Sequence, residues 1–141
     1  MITVFLLLLV FQIKHFLADY PLQTGYMLGK FKPSPDHFFP LLSHSAVHGA
    51  LTFFICYVFT SALILPLVLG LIDTGIHFAA DRLKASPKLF GKYKALTKSE
   101  FANATAKQRR GNKYFWWALG FDQMLHHLTH YAVIITLIGL S

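Results

Sequence analysis

Long apolar segments that are interrupted by ionisable residues at four-residue spacing limit most strongly how this chain can fold. The clearest example is Asp73-Thr-Gly-Ile-His77-Phe-Ala-Ala-Asp81, which lies within an otherwise apolar run. On a helix, residues four apart lie about 40° apart around the axis and about 6 Å apart along it, so these three side chains form one polar stripe. In lipid such a stripe requires polar partners, because a charge at mid-bilayer costs at least about 2.5–3.5 kcal/mol.

The composition predicts that the chain lies in a membrane. Of its 141 residues, 55% are hydrophobic and only 13% are charged, whereas a soluble domain has about 25% charged residues. The apolar residues also occur in long blocks rather than in amphipathic patterns. We therefore expect an all-α fold, an integral membrane four-helix bundle that forms a single domain over residues 1–141. The expected spans are about 2–19, 38–59, 63–83 and 115–140.

The connection between the third and fourth expected spans, residues 84–113, is polar and strongly basic. Within it, Thr97-Lys-Ser-Glu100 has the pattern of a helix capping box, and Gly111 follows a basic stretch that suits a last helical turn. These signals predict a short cytoplasmic surface helix over about 98–110. Its expected role is a connector that faces solvent or lipid headgroups, with specific anion binding as the alternative.

The distribution of positive charge predicts the orientation in the membrane. All 13 lysines and arginines lie in or near the loops 20–37 and 84–113, which a four-span chain places on one side. By the positive-inside rule these loops are cytoplasmic and both termini lie outside, which in a bacterial inner membrane is the periplasm. The net charge of +7 is then explained by contact with the membrane face, and nucleic acid is not an expected partner.

Each expected span carries histidines or aspartates at four-residue spacing, and the topology brings all of these sets into the cytoplasmic half. The sets are His15 with Asp19, His44 with His48, Asp73 with His77 and Asp81, and Asp122 with His126 and His130. Imidazoles and carboxylates without thiolates favour zinc, manganese or iron, and the single cysteine, Cys56, excludes a cysteine-based zinc site. The candidates exceed the ligands of one ion, so we expect two divalent ions, with zinc favoured. For any one pair, a hydrogen bond between helices is the alternative.

The combined pattern resembles the domain of unknown function 3307 family, small integral membrane proteins of bacteria and phages. The pattern is His15-x-x-x-Asp19-x-x-x-Gln23, His44-x-x-x-His48, His77-x-x-x-Asp81-x-x-Lys84 and Asp122-Gln123-x-x-His126, and the resemblance covers nearly the whole chain. It implies an inner set of metal ligands: His15, Asp19, His44, His48, His77, Asp81, Asp122 and His126. Five further residues are then expected to support ligands rather than to bind metal: Gln23, Asp73, Gln123, His127 and His130.

The leading functional hypothesis is a metal-dependent hydrolase that acts on a phosphoester or lipid headgroup at the cytoplasmic leaflet. By analogy, the arrangement also resembles membrane-bound metal-dependent hydrolases. Asp19, Asp81 or Asp122 is the expected general base. Lys84, with Lys14 and Arg82 nearby, is expected to hold an anionic lipid or a phosphorylated substrate.

Three alternatives remain open from the sequence. Chains of histidine and aspartate inside a membrane are also typical of divalent-cation or proton transporters and channels. The run His126-His127-x-x-His130 beside His44-x-x-x-His48 is compatible with a di-iron membrane oxidase or hydroxylase. Finally, the metal can form a purely structural site that holds the helices of a membrane protein together without catalysis.

Overall fold

The computed structural model describes residues 2–32, 35–86 and 103–140. Within these ranges all regular structure is helical, and they contain no strand, which confirms the all-α prediction. The elements are α1 (Ile2–Asp19), a 3₁₀ helix (Met27–Phe31), α2 (Phe38–Thr60), α3 (Ile64–Ala85), α4 (Ala106–Arg110) and α5 (Lys113–Leu140).

Among the described residues, three helices are long and apolar enough to cross a membrane, namely α1, α2 and α3. Their bounds agree closely with the first three spans expected from the sequence, and they indicate a membrane protein. The fourth long helix, α5, has 28 residues, but it carries Asp122 and three histidines and is not among those three helices.

The turn between α2 and α3 lies where the sequence predicts it. Helix α2 ends at Thr60, and Ser61 takes the left-handed conformation with φ 54°. The Thr60 hydroxyl donates to the Cys56 carbonyl and accepts from the Ala62 amide. The Ser61 amide also donates to the Tyr57 carbonyl at 2.8 Å, which satisfies one of the carbonyls that the end of a helix otherwise leaves unpaired.

Helices α2 and α3 then pack with their backbones in close approach. A Cβ on Gly49 would overlap the Thr74 hydroxyl and the Gly70 carbonyl, and a Cβ on Gly70 would lie 2.7 Å from the Gly49 carbonyl. Small residues at both positions therefore permit this contact, as small residues do in membrane helix pairs. At Gly75, by contrast, an added Cβ would meet no atom within 4 Å.

The four long helices in the described ranges enclose two different interiors. Helix α1 packs against α2 and α5, and α3 packs against the same two helices. Near the start of α1 and the end of α5, the interior is an apolar cluster of Leu7, Phe11, Cys56, Leu69, Val133, Ile134 and Leu137. Towards the opposite end, the buried side chains are mostly histidine, aspartate and lysine.

Within the described part of the connector, the predicted surface helix is interrupted. Ala104 and Thr105 are not helical, so a continuous helix over 98–110 is wrong. Thr105 takes an extended backbone and caps α4: its hydroxyl accepts from the Gln108 amide, and the Gln108 side chain accepts from the Thr105 amide. Gly111 follows the helix as predicted. The expected capping box at Thr97–Glu100 lies outside the described residues.

Candidate metal centre

The inner faces of the four long helices bring the predicted inner ligand set together at the polar end of the interior. Seven of its members are buried: His15, His44, His48, His77, Asp81, Asp122 and His126. The eighth, Asp19, closes α1, and its side chain is 21% exposed. The four-residue spacing explains this convergence, because it keeps each set on one helix face. Three groups of potential ligand atoms result, each with its atoms within 4.8 Å of one another.

The first group consists of Asp19, His44 and His48. Asp19 Oδ1 lies 3.3 Å from His44 Nε2 and 3.2 Å from His48 Nε2, while Asp19 Oδ2 lies 3.1 Å from His15 Nε2. No lysine or arginine in the described part of the chain forms an ion pair with Asp19. With these imidazoles neutral, the carboxylate keeps its negative charge, and this donor set suits zinc or ferrous iron.

The second group consists of three histidines, His15, His77 and His130. His15 Nδ1, His77 Nε2 and His130 Nδ1 are buried and have no hydrogen-bond partner. Leaving a buried polar atom without a partner costs about 1–3 kcal/mol, and coordination of an ion would satisfy all three nitrogens. Three histidine ligands with an open fourth position are a known catalytic zinc arrangement.

Asp73 contacts this second group through Nδ1 of the His77 ring. His77 Nδ1 forms a hydrogen bond of 3.1 Å with the Asp73 backbone carbonyl, and Asp73 Oδ1 lies 3.0 Å from the same nitrogen. A histidine ligand commonly has its second ring nitrogen bonded to a backbone carbonyl or a carboxylate in this way. Asp73 thus lies behind the second group and belongs to none of the three groups, whereas His130 lies among the potential ligands.

The third group consists of Asp81, Asp122 and His126, and lysines neutralise it. Lys84 Nζ lies 2.6 Å from Asp122 Oδ2 and 3.1 Å from Asp81 Oδ1. Lys30 Nζ lies 2.7 Å from Asp81 Oδ2. His126 Nε2 lies 3.4 Å from Asp122 Oδ1. An ion would have to compete with two ammonium groups here, so this group is chiefly an ion-pair network.

The three groups form one continuous centre. His44 Nε2 is 3.3 Å from an oxygen of Asp19 and also 3.3 Å from an oxygen of Asp81. The His77 ring stacks on His48 with centroids 3.8 Å apart and on His126 with centroids 4.0 Å apart. Ions in the first two groups would therefore be neighbours, and the lysine-neutralised acids would flank them.

Two buried lysines in this centre have roles that the sequence does not predict, since Lys14 is expected at the mouth and Lys30 is not singled out at all. Lys14 is only 3% exposed, and its Nζ lies 2.6 Å from Asp73 Oδ2, which also accepts from the Thr52 hydroxyl. It is thus a structural partner of Asp73 rather than a group at the mouth. Its signal is its position in an apolar run, since a lysine in a span requires an acidic partner. Lys30 has no such signal, because it comes from the 3₁₀ helix between α1 and α2.

The other predicted supporting residues are Gln123, His127 and Gln23, and they differ in whether they contact the centre. Gln123 lies in the centre, where its Oε1 is 3.2 Å from His15 Nε2 and its Nε2 donates to Asp122. His127 turns aside and hydrogen-bonds to the Gln12 side chain at 3.2 Å. Gln23 donates its backbone amide to the Tyr20 carbonyl, and within the described ranges its side chain makes no hydrogen bond to the predicted ligands.

Comparison with known proteins identifies a family. No curated protein and no solved structure gives a significant match to this chain. Residues 4–141 match the family model described as protein of unknown function (DUF3307), which agrees with the resemblance seen in the His/Asp pattern. Because the match covers almost the entire sequence, the chain belongs to the DUF3307 family.

Proposed function

We propose that this protein is a membrane-embedded, metal-dependent hydrolase with a two-ion His/Asp centre that opens to the cytoplasm. Its substrates are phosphoesters of the kind found in lipid headgroups, and zinc is the favoured metal. The observation that carries the proposal is the convergence of Asp19, His44 and His48, which no lysine in the described part of the chain neutralises, beside the three-histidine group of His15, His77 and His130. In this second group, His130 Nε2 also lies 3.4 Å from Lys14 Nζ.

The proposal includes a fourth span and an orientation. Helix α5 has 28 residues, or about 42 Å at 1.5 Å per residue, which exceeds the roughly 30 Å hydrocarbon core. It packs beside α1 and α3, so its histidines can meet partners instead of lipid. The positive loops then lie in the cytoplasm of a bacterial cell and both termini lie in the periplasm.

The chain supplies distinct groups for hydrolysis around the ions. A divalent ion in such a site provides Lewis acidity and activates water for attack on a phosphoryl group. Asp81 and Asp122 lie next to the donor groups, and either can accept the proton of the attacking water. Lys84 contacts both acids, and its side chain is 21% exposed, so it can also bind a phosphoryl oxygen at the mouth.

The apolar interior favours hydrolysis over ion transport. A transport path must continue through the outer half of the bundle, where the interior is the cluster that includes Phe11, Ile134 and Leu137. Phe11 and Leu137 are fully buried there, so apolar side chains fill this part of the interior. The deepest polar contacts described join Lys14, Thr52 and Asp73.

Metal content and hydrolysis should be measured on the same preparation. Elemental analysis of purified protein should find about two divalent ions per chain. His48→Ala should lower the metal content and abolish phosphoester hydrolysis, whereas the matched variant His127→Ala, on the same side of the bundle but bonded to Gln12, should preserve both. A folded wild-type protein without metal would overturn the proposal. Metal-dependent ion flux in liposomes without hydrolysis would establish transport instead.

A further inference from the structure

A cavity beside the metal centre suggests which part of a substrate the protein holds. It has a volume of about 420 Å³ and lies between α3 and α5. This volume is within the range of about 300–1,000 Å³ that is typical of pockets for small ligands. Its walls are mostly apolar and include Leu83, Trp117, Ala118 and Phe121, and its inner wall includes Lys84 and Asp122. One cavity therefore joins an apolar chamber to the ion-pair network of the centre.

The chemistry of the cavity fits an amphiphile with an anionic head. Trp117 is 65% exposed, and its ring, like that of Tyr114, lies under the Lys113 ammonium at 5.8 Å and 5.3 Å respectively. Aromatic rings of this kind favour the membrane interface, and a cation beside them attracts lipid phosphate. On the inner wall Lys84 already pairs with Asp81 and Asp122, so Lys113 supplies most of the attraction for the phosphate.

We infer that this cavity binds one acyl chain of a phospholipid with an anionic phosphate head, and that this lipid is the substrate class of the centre. The inference rests on the proposed hydrolase function. The chain lies against Leu83, Ala118 and Phe121, while the phosphate lies between Lys113 and Lys84, next to the metal centre. A second protein copy in a symmetric dimer fits less well, because symmetry would bring two copies of Lys113 to the same depth.

Photo-crosslinking in lipid nanodiscs tests the occupant. A benzophenone amino acid replaces Leu83 in one sample and Ala132, which is exposed elsewhere on α5, in the control. The discs contain equal amounts of phosphatidic acid and phosphatidylcholine, and mass spectrometry identifies the adducts. We expect phosphatidic acid to be enriched about fivefold at position 83 but not at position 132, which is the effect of about one cation near the surface.

Two kinds of variant test separately whether the lipid chain needs the space in the cavity and whether Lys113 selects the headgroup. Ala118→Trp, or the smaller change Ala118→Leu, should suppress lipid adducts at position 83, whereas Ala132→Trp should not. Lys113→Gln should remove the preference for phosphatidic acid and leave the total yield of lipid adducts unchanged. Equal lipid composition at both positions, a cross-linked dimer, or a link within the chain at position 83 would overturn the inference.

Metal analysis in the same samples separates the two proposals. His48→Ala should lose metal and keep the enriched adduct, because the cavity does not include α2. Metal binding and hydrolysis without the enriched adduct would refute the lipid site alone. An enriched adduct on a wild-type protein that binds no metal would refute the hydrolase and, with it, the assignment of this lipid as substrate.

Discussion

Asp19 and Asp81 both lie 3.3 Å from His44 Nε2, yet the charges around them differ. Asp19 is surrounded by imidazoles from His15, His44 and His48. Asp81 contacts the ammonium groups of Lys30 and Lys84. Lysines neutralise a buried carboxylate without any metal, whereas neutral imidazoles leave its charge available to a cation. The charge balance around each carboxylate, rather than its residue type, therefore distinguishes the candidate metal ligand Asp19 from the ion-pair partner Asp81.

The largest expected effect is on stability, from loss of the Asp81 charge. Asp81→Asn leaves the buried Lys30, which is only 4% exposed, without its carboxylate partner. Removing one member of a buried ion pair costs about 3–5 kcal/mol, so the free energy of unfolding in detergent should fall by about that amount. The double variant Asp81→Asn/Lys30→Met removes the unpaired charge and should recover most of the loss. Wild-type stability in the single variant would contradict the assigned role of the pair.

The matching change at Asp19 should affect metal binding first. Asp19→Asn leaves no lysine unpaired, so its unfolding free energy should fall less than that of Asp81→Asn. Its metal affinity should fall more than about 100-fold, since loss of an outer partner alone costs 10–100-fold. A chelator titration of both variants measures this difference. If Asp81→Asn lost metal while Asp19→Asn kept it, Asp81 would be the metal ligand and the assignment of Asp19 would be wrong.

The sequence predicts the fold well because its strongest signals are local. Apolar runs set the bounds of α1, α2 and α3, and four-residue spacing sets which side chains face inward. Helix α4 is less predictable: its cap is Thr105 with Gln108, whereas the capping box predicted at Thr97–Glu100 lies outside the described residues.

The arrangement of the centre is less predictable, because it depends on contacts between distant segments. Lys30 reaches Asp81 from the 3₁₀ helix, 51 residues away along the chain. No periodic pattern indicates that pair, yet it decides the charge balance at Asp81. The position of His130 likewise depends on the rotation of α5 against α1, which brings its ring to 5.3 Å from that of His15.

A change in the contact between α2 and α3 should affect the surroundings of Asp81 more than those of Asp19. Gly49→Ala places a methyl group against the Gly70 carbonyl, and overpacking of this kind costs about 1–3 kcal/mol. The shift should weaken the contact of His44 on α2 with Asp81 on α3 more than the contact of His48 with Asp19 on α1. Thermal unfolding with and without added zinc measures the cost. Gly75→Ala, which adds a methyl group in open space, is the control and should leave the unfolding temperature almost unchanged.

The smallest expected effect concerns Gln123, an uncharged residue that contacts His15. Gln123 Oε1 lies 3.2 Å from His15 Nε2. Gln123→Leu therefore removes a group that orients the His15 ring towards His77 and His130, the other histidines of the second group. Metal affinity should fall by about tenfold, the lower end of the effect of an outer partner, with little change in stability. Gln12→Leu is the matched control, because Gln12 bonds His127 outside the centre. An equal loss of affinity in both variants would mean that the orientation of His15 does not govern metal binding, and that Asp19 with His44 and His48 suffices.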